Sequence, residues 1–432
     1  MIKGKIFFTI NLLMLTSFIF AQATTPGHST GFKAMERMSD IHPLYTPYVD
    51  VCLWPPFPIN NVDSTGICLY TLAFIVDDQN ATGANPCWGG YSNLDLTWYQ
   101  DQVAGLRENG GEVIISFGGA SGFPLAFVAG NENELRDAYK AVIDAYDLQS
   151  IDFDVEGMFT AHPTSIELRS KAMKLLQDEY PDLRISLTLP VMPWGLTGDG
   201  INVVTSAVNH DVELSVVNLM AMDYGGPGDM GDNAIAAMEA TFGQLKSIYE
   251  GAGIPKPDSL IWRMIGVTPM IGQNDVMEEV FYLDDAEDVR DFAFDKKIGR
   301  IAMWSANRDR QCENSWDPLY ICSHIDQEDF QFSYIFQQNG TISYCDIAQE
   351  LNQPAIPCLS SSIYPNPTHD YVIISDCNGA GVTITSIEGL VVNELKITGN
   401  NFYADISDLS PGSYLLLIRK GGKISYEKLI VY

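Results

Sequence analysis

From about residue 44 to residue 309 the chain switches eight times from an apolar, β-like run to a stretch with helical spacing. The β-like runs are YVDVCLWPPF (48–57), GICLYTLAFIV (66–76), GEVIISFGG (111–119), SIDFDVEG (150–157), RISLTLPVMP (184–193), LSVVNLMAMDYG (214–225), RMIGVTPMIG (263–272) and GRIAMWSANRD (299–309). Between them, TWYQDQVAGLRENG (97–110), ENELRDAYKAVIDAYD (132–147), SIELRSKAMKLLQDEY (165–180) and DDAEDVRDFAFDKKIG (284–299) read as helices with polar outer faces. Strands that alternate with helices pair in parallel, because each crossover returns the chain to the same end of the sheet. Eight such units predict an α/β fold, a (β/α)8 TIM barrel; a doubly wound open sheet has the same alternation.

The ends of the chain differ from this middle. Lys3 and Lys5 precede an apolar run from Ile6 to Phe20 and then Ala21-Gln22-Ala23, the three-part pattern of a signal peptide over residues 1–23. No later segment reaches about 18 uninterrupted apolar residues, so no stable membrane insertion is expected. Residues 339–362 are polar and proline-bearing, which reads as a linker, and from 363 to 432 alternating β-runs separated by turn residues predict a small all-β, sandwich-like domain. The barrel then occupies about residues 44–338. A formal net charge of −30, from 25 Lys and Arg against 55 Asp and Glu, argues against a nucleic-acid partner and suits a neutral or cationic polymer. Of the eight cysteines, Cys312 and Cys322 flank a short loop and are the expected disulfide. They carry no CxxC or His-rich spacing, so no metal or other cofactor is expected.

Chemistry in a barrel gathers at the C-terminal ends of its strands. The run SIDFDVEG places Asp152, Asp154 and Glu156 at every second position, hence on one face, with Ile151, Phe153 and Val155 on the other. Three acids this close cannot all ionise without cost, so at least one pKa is expected to rise. A row of this kind does proton chemistry or binds a cation; for calcium, the surrounding strand offers few carbonyl ligands. Asp223 and Tyr224 close the sixth run, Trp304 lies in the eighth, and Gly118 and Gly119 end the third with no side chain to crowd a ligand. Trp54, Trp194 and Trp304, near strand ends, are candidates for stacking on sugar rings, whereas Trp88 is expected to pack in the core or rim.

SFGGASG (116–122), DFDVE (152–156), NLMAMDYG (218–225) and MWS (303–305) resemble the successive strand motifs of the family 18 glycoside hydrolases, the chitinases among them, over about residues 44–338. The resemblance implies an endo-type chitinase that cleaves β-1,4-linked N-acetylglucosamine polymers with retention, the substrate's own N-acetyl oxygen serving as nucleophile. Glu156 is then the general acid and base, Asp154 orients the acetamido group, and Asp152 couples to the proton of Asp154. Asp223 and Tyr224 hold the acetamido carbonyl, Trp304 floors the site, and Met222, Gly118, Gly119, Trp54 and Trp194 face the substrate. The chain departs from the usual motifs at Gln149, where an acid commonly starts the series, and at Met222, so that the usual tyrosine is displaced to Tyr224, two residues further along the same face. A missing acid at Gln149 is expected to lessen the repulsion that raises its neighbours' pKa values. The segment from Thr268 to Ile301 is too short for a groove-deepening insertion, which favours attack within chains. An endo-β-N-acetylglucosaminidase on N-glycans uses the same machinery, and a non-catalytic chitin-binding lectin is the alternative outside enzymes.

YPNPTHDYVII, IEGLVV and PGSYLLLIRKGGKISYEKLIVY resemble the C-terminal sorting domains read by the type IX secretion system. The resemblance implies that residues 363–432 engage that machinery after the signal peptide has acted, leaving a monomeric enzyme secreted or at the cell surface, with chitin or chitooligosaccharides as its partner.

Overall fold

The computed structural model describes residues 43–80, 82–337, 363–375, 379–386, 391–399, 401–420 and 423–432. The expected signal peptide and linker lie outside these residues.

The first strand is split. β1 (Leu44–Tyr45) pairs in parallel with β13 (Arg300–Ile301), and β2 (Tyr48–Asp50) pairs in parallel with β3 (Leu69–Asp77). Pro47 separates them; it has no N–H for a ladder, but its carbonyl still accepts from Thr71 N. From β3 the parallel order continues through β5 (Glu112–Gly118), β6 (Ser150–Asp154), β7 (Arg184–Met192), β9 (Leu214–Ala221) and β10 (Ile265–Pro269) to β13. Because β1 and β2 are consecutive in the chain, one segment joins both ends of the sheet, and eight parallel strands curl into the predicted barrel. Short antiparallel pieces decorate it: β4 (Pro86–Trp88) on β3, β8 (Gly195–Leu196) on β7, and a hairpin of β11 (Gly272–Gln273) and β12 (Val280–Phe281).

Period-two alternation sorts each strand's side chains. Ile115, Phe117, Ile151, Phe153, Ile185, Leu187, Val217 and Leu219 point outward into one apolar cluster beneath the helices. Ser116, Asp152, Ser186, Thr188 and Asn218 alternate with them and fill the barrel's interior with polar groups. Helices form at the expected places, at Gln100–Glu108, Glu132–Tyr146, Pro163–Glu179 and Leu283–Lys296, and also at Gly198–Asn209 and Met230–Gly251. Their starts follow local chemistry: the Asn131 side chain accepts from Asn133 N and Glu134 N, and Pro163 takes the first helical position of its helix.

In the tail, β14 (Ile363–Tyr364), β15 (Tyr371–Ser375) and β18 (Asn401–Asp405) form one antiparallel sheet. β16 (Gly381–Ser386), β17 (Val391–Lys396), β19 (Gly412–Lys420) and β20 (Lys423–Val431) form another. Val372, Ile374, Val382, Ile384, Leu416, Ile418 and Leu429 make their shared core, the expected all-β packing.

Cys312 and Cys322 are joined by the expected disulfide, their Cα atoms 5.1 Å apart and 10 positions apart in sequence. Closing a loop of that size restricts the unfolded chain by about 2 to 3 kcal/mol. The double change Cys312→Ser with Cys322→Ser is therefore expected to lower stability by about that amount, measured by denaturant unfolding under non-reducing conditions; an unchanged midpoint would contradict it.

Candidate active site

The acid row lies on β6 as the alternation predicts. Asp152 is fully buried at the barrel centre and accepts hydrogen bonds from five side chains. Tyr48 Oη donates to Oδ2 at 3.0 Å, Ser116 Oγ to Oδ2 at 2.8 Å, and Thr188 Oγ1 lies 3.0 Å from both oxygens. Ser186 Oγ donates to Oδ1, and Arg300 Nη1 approaches the same oxygen at 3.5 Å while donating to Ser186 Oγ at 3.1 Å. The donors come from β2, β5, β7 and β13, so one carboxylate is tied to four other staves of the barrel.

Asp154, one step toward the mouth, is also buried, and its Oδ1 finds no hydrogen-bond partner among the described residues. Burial, then the charges of Glu156 and Asp152, push its pKa well above the usual carboxylate range, and a hydrogen bond with Glu156 adds to the rise. Glu156 is half-buried past the end of β6; burial raises its pKa, the hydrogen bond from Asp154 opposes the rise, and nearby Asp223 adds to it. One proton held between Asp154 and Glu156 satisfies both groups.

The two glycines are required by close packing beside the row. A Cβ on Gly118 (φ 109°) would lie 2.0 Å from the Asp154 carbonyl oxygen, and one on Gly119 (φ 89°) would lie 2.6 Å from the Phe74 ring. Both positions thus carry a backbone approach that only glycine permits. Phe74 stacks on Trp304 with ring centroids 5.5 Å apart, and Tyr48 packs at 6.0 Å from Trp304, which places Trp304 beside the ring whose hydroxyl holds Asp152.

Asp223 lies near enough to Glu156 for its charge to act there, at an exposed position on the rim, and partial desolvation raises its pKa as well. Its φ of 52° breaks the strand's alternation, so Tyr224 does not continue the face of Met222. The Tyr224 ring packs against the main apolar cluster, and its hydroxyl is buried with no partner among the described residues. Met222, half-buried, keeps the position in phase with Asn218 and Met220. Gln149 likewise falls out of phase with the acids: it precedes β6 at the barrel's base, where its carbonyl accepts from Arg184 N, so it leaves no gap in the row. Trp54 (83% exposed) and Trp194 (69% exposed) stand free after β2 and β7, while Trp88 is fully buried and donates to Tyr146 Oη at 2.9 Å, the packing role expected of it.

Several residues around the site carried no sequence signal. Tyr48, Ser186, Thr188 and Arg300 reach Asp152 only because the barrel closes. Glu279, fully buried, accepts from the backbone N–H groups of Tyr224, Gly225 and Gly226 through a hairpin more than fifty positions downstream. Asn307 Oδ1 accepts from Asp50 N at 2.9 Å, Arg308 Nη2 donates to the Gln273 carbonyl, and Asp309 accepts from Phe332 N and Ser333 N.

An eight-stranded parallel sheet curled into a (β/α)8 barrel, with a carboxylate row rising to the C-terminal ends of its strands, has the architecture found in barrel-type glycoside hydrolases. Comparison with known proteins narrows the class. The chain is 36% identical to the catalytic domain of a hyperthermophilic chitinase from Pyrococcus furiosus, with a TM-score of 0.62, covering 69% of this chain and 96% of that one. It is 37% identical over 288 residues to Endochitinase 11 of Metarhizium anisopliae and 36% identical over 287 residues to a probable bifunctional chitinase/lysozyme of Escherichia coli K12. Each match covers 62% of this chain, which spans 52% of the first of these relatives and 31% of the second. The chain belongs to the family 18 glycoside hydrolases, the chitinase family. Residues 362–432 match the secretion system C-terminal sorting domain.

Two predictions follow from the row. Gly118→Ala drives a methyl group into the Asp154 carbonyl and is expected to cost more than about 2 kcal/mol, read by denaturant unfolding; a stability equal to wild type would show that the strands can part without penalty. Asp154 holds its proton more tightly in the folded chain than in the unfolded one, so stability falls as pH rises from the ordinary carboxylate range to the raised value. Asp154→Asn removes that ionisation, and its stability relative to wild type is expected to rise across that window; a difference that stays flat with pH would sink the assignment.

Proposed function

We propose that the chain is a secreted endo-type chitinase that hydrolyses β-1,4-linked N-acetylglucosamine polymers with retention of configuration. The observation that carries this reading is the hydrogen-bonded pair of a buried Asp154 and a half-buried Glu156 above an anchored Asp152, with Asp223 and Trp304 beside it. Glu156 gives its proton to the glycosidic oxygen as the C1–O bond breaks, and the acetamido carbonyl oxygen closes on C1 to form an oxazolinium ion. Asp154, whose Oδ1 lacks a partner among the described residues, accepts the acetamido N–H and balances the positive ring. Water then attacks C1 as the C1–O bond of the oxazolinium ring breaks, and yields its proton to Glu156, which restores the acetamido group, the enzyme and the original anomer. Asp223 supports the acetamido group from the opposite side, and Trp304 lies under the distorted sugar.

Between β10 and β13 the described chain holds only the short hairpin and one helix, which supports an open groove and attack within polymers. Trp54 and Trp194, both exposed after strand ends, extend the stacking surface. The match of residues 362–432 to a sorting domain supports export through the type IX system, with the barrel as the delivered part.

Incubation with N-acetylglucosamine hexamer, followed by mass spectrometry and immediate NMR, tests the reading. Mixed dimers to tetramers appearing first as β-anomers are expected; monomer release alone or α-anomers would refute the endo or the retaining part. Glu156→Gln is expected to lower kcat by about a hundredfold or more, and near-normal turnover would remove Glu156 from its role.

A further inference from the structure

β9 ends at Ala221, so Asp223 rides on the loop that leaves the barrel. It adopts a left-handed backbone with φ 52°, which costs a residue other than glycine about 1 kcal/mol or more and persists only where the surroundings enforce it. The enforcing contacts come from the hairpin of β11 and β12. Glu279 Oε2 accepts from Tyr224 N at 2.9 Å, and its Oε1 accepts from Gly225 N at 2.7 Å and Gly226 N at 3.0 Å. Val276 N donates to Asp223 Oδ1 at 2.9 Å, and Asn274 Oδ1 faces Asp223 N at 3.4 Å. Asn274 is itself held, its Nδ2 donating to the carbonyls of Met270 at 2.8 Å and Gly272 at 3.1 Å.

The hairpin has its own anchor. Gln273 N donates to the Ser323 carbonyl at 2.8 Å, one residue after the disulfide, and Arg308 Nη2 donates to the Gln273 carbonyl. Three successive amides converging on one anion form a nest, and charged acceptors make the stronger hydrogen bonds. A fully buried carboxylate is costly to desolvate, so its use here in place of a neutral side chain needs a geometric return. Its two oxygens spanning three consecutive N–H groups fix the orientation of the loop, which a single-acceptor amide cannot do.

We propose that Glu279 is the positioning residue for Asp223: by holding the amides of residues 224–226 it aims Asp223 at the Asp154 and Glu156 pair, and the 272–281 hairpin thereby sets how tightly the site holds an N-acetyl group. This rests on the reading of Asp223 as a support of the substrate's acetamido group. It also explains why Tyr224 is enclosed: its N–H, not its hydroxyl, is the part of the residue that serves the site.

A double-mutant cycle on hexamer hydrolysis by the full chain tests the proposal. Glu279→Gln alone is expected to lower kcat/KM about tenfold, with KM raised, and Asp223→Asn to lower it at least as much. The double variant is expected to fall within about twofold of Asp223→Asn, because the second change removes what the first acts through. Hydrogen exchange read by mass spectrometry gives a result independent of activity: peptides across 222–228 are expected to exchange faster in Glu279→Gln while those of β6 stay protected. Losses that multiply in the cycle, or unchanged exchange across 222–228, overturn the proposal. Should Glu279→Gln fail to fold, Asn274→Ala, which frees the Asp223 N–H and spares the carboxylate, enters the same cycle and exchange measurement with the same expected pattern. Failure of the functional reading looks different, since Asp223→Asn and Glu156→Gln would then both leave hydrolysis intact.

Discussion

A carboxylate at the centre of a barrel is stable only if donors replace the water it loses, and Asp152 is met by five of them from four strands. Each donor occupies an inward position dictated by its strand's alternation, so a shift of register in any one stave turns that donor outward and leaves the charge unpaired. The acid row and the closure of the barrel are therefore the same constraint seen twice. Asp154 and Glu156 depend on it: with Asp152 held by donors from below, Asp154 sits buried between it and Glu156, and burial raises the pKa of both members of the pair.

The same economy of space governs the rim. The strands of β5 and β6 approach so closely at Gly118 that no side chain fits against the Asp154 carbonyl, and Gly119 leaves room for the Phe74 ring on which Trp304 stacks. On the opposite side the constraint is electrostatic rather than steric, since an acid in a left-handed loop is held by a buried carboxylate on a separate hairpin. One flank of the site is built into the staves, the other is propped from outside, and the disulfide at Cys312 and Cys322 braces the prop.

Local patterns carried most of the architecture. Eight alternations, the outward apolar residues Ile151 and Phe153, and the row of Asp152, Asp154 and Glu156 follow from period two alone. The placements that failed were those where phase was assumed beyond the strand. Tyr224 was put on the face of Met222, but the turn at Asp223 sends its ring into the outer core. Gln149 was counted as a lost acid of the row, yet it lies one residue before β6 and three before Asp152, an odd offset that puts it on the other face. At Gly118 and Gly119 the sequence did not show the neighbouring strand's carbonyl and the Phe74 ring that exclude any side chain there. Tyr48, Arg300 and Glu279 could not be singled out, because nothing near them in the chain marks a partner that lies more than fifty positions away.

By itself the sequence determined which side chains share a strand face, which segments are helices, where the barrel gives way to a β-rich tail, and that three acids end in one place. These are short-range properties, set by backbone period and local propensity. Only the tertiary structure decided which acid is anchored, which pair holds the proton, and which way Asp223 faces. Those outcomes depend on desolvation and on donors supplied from other strands, and neither exists until the barrel closes.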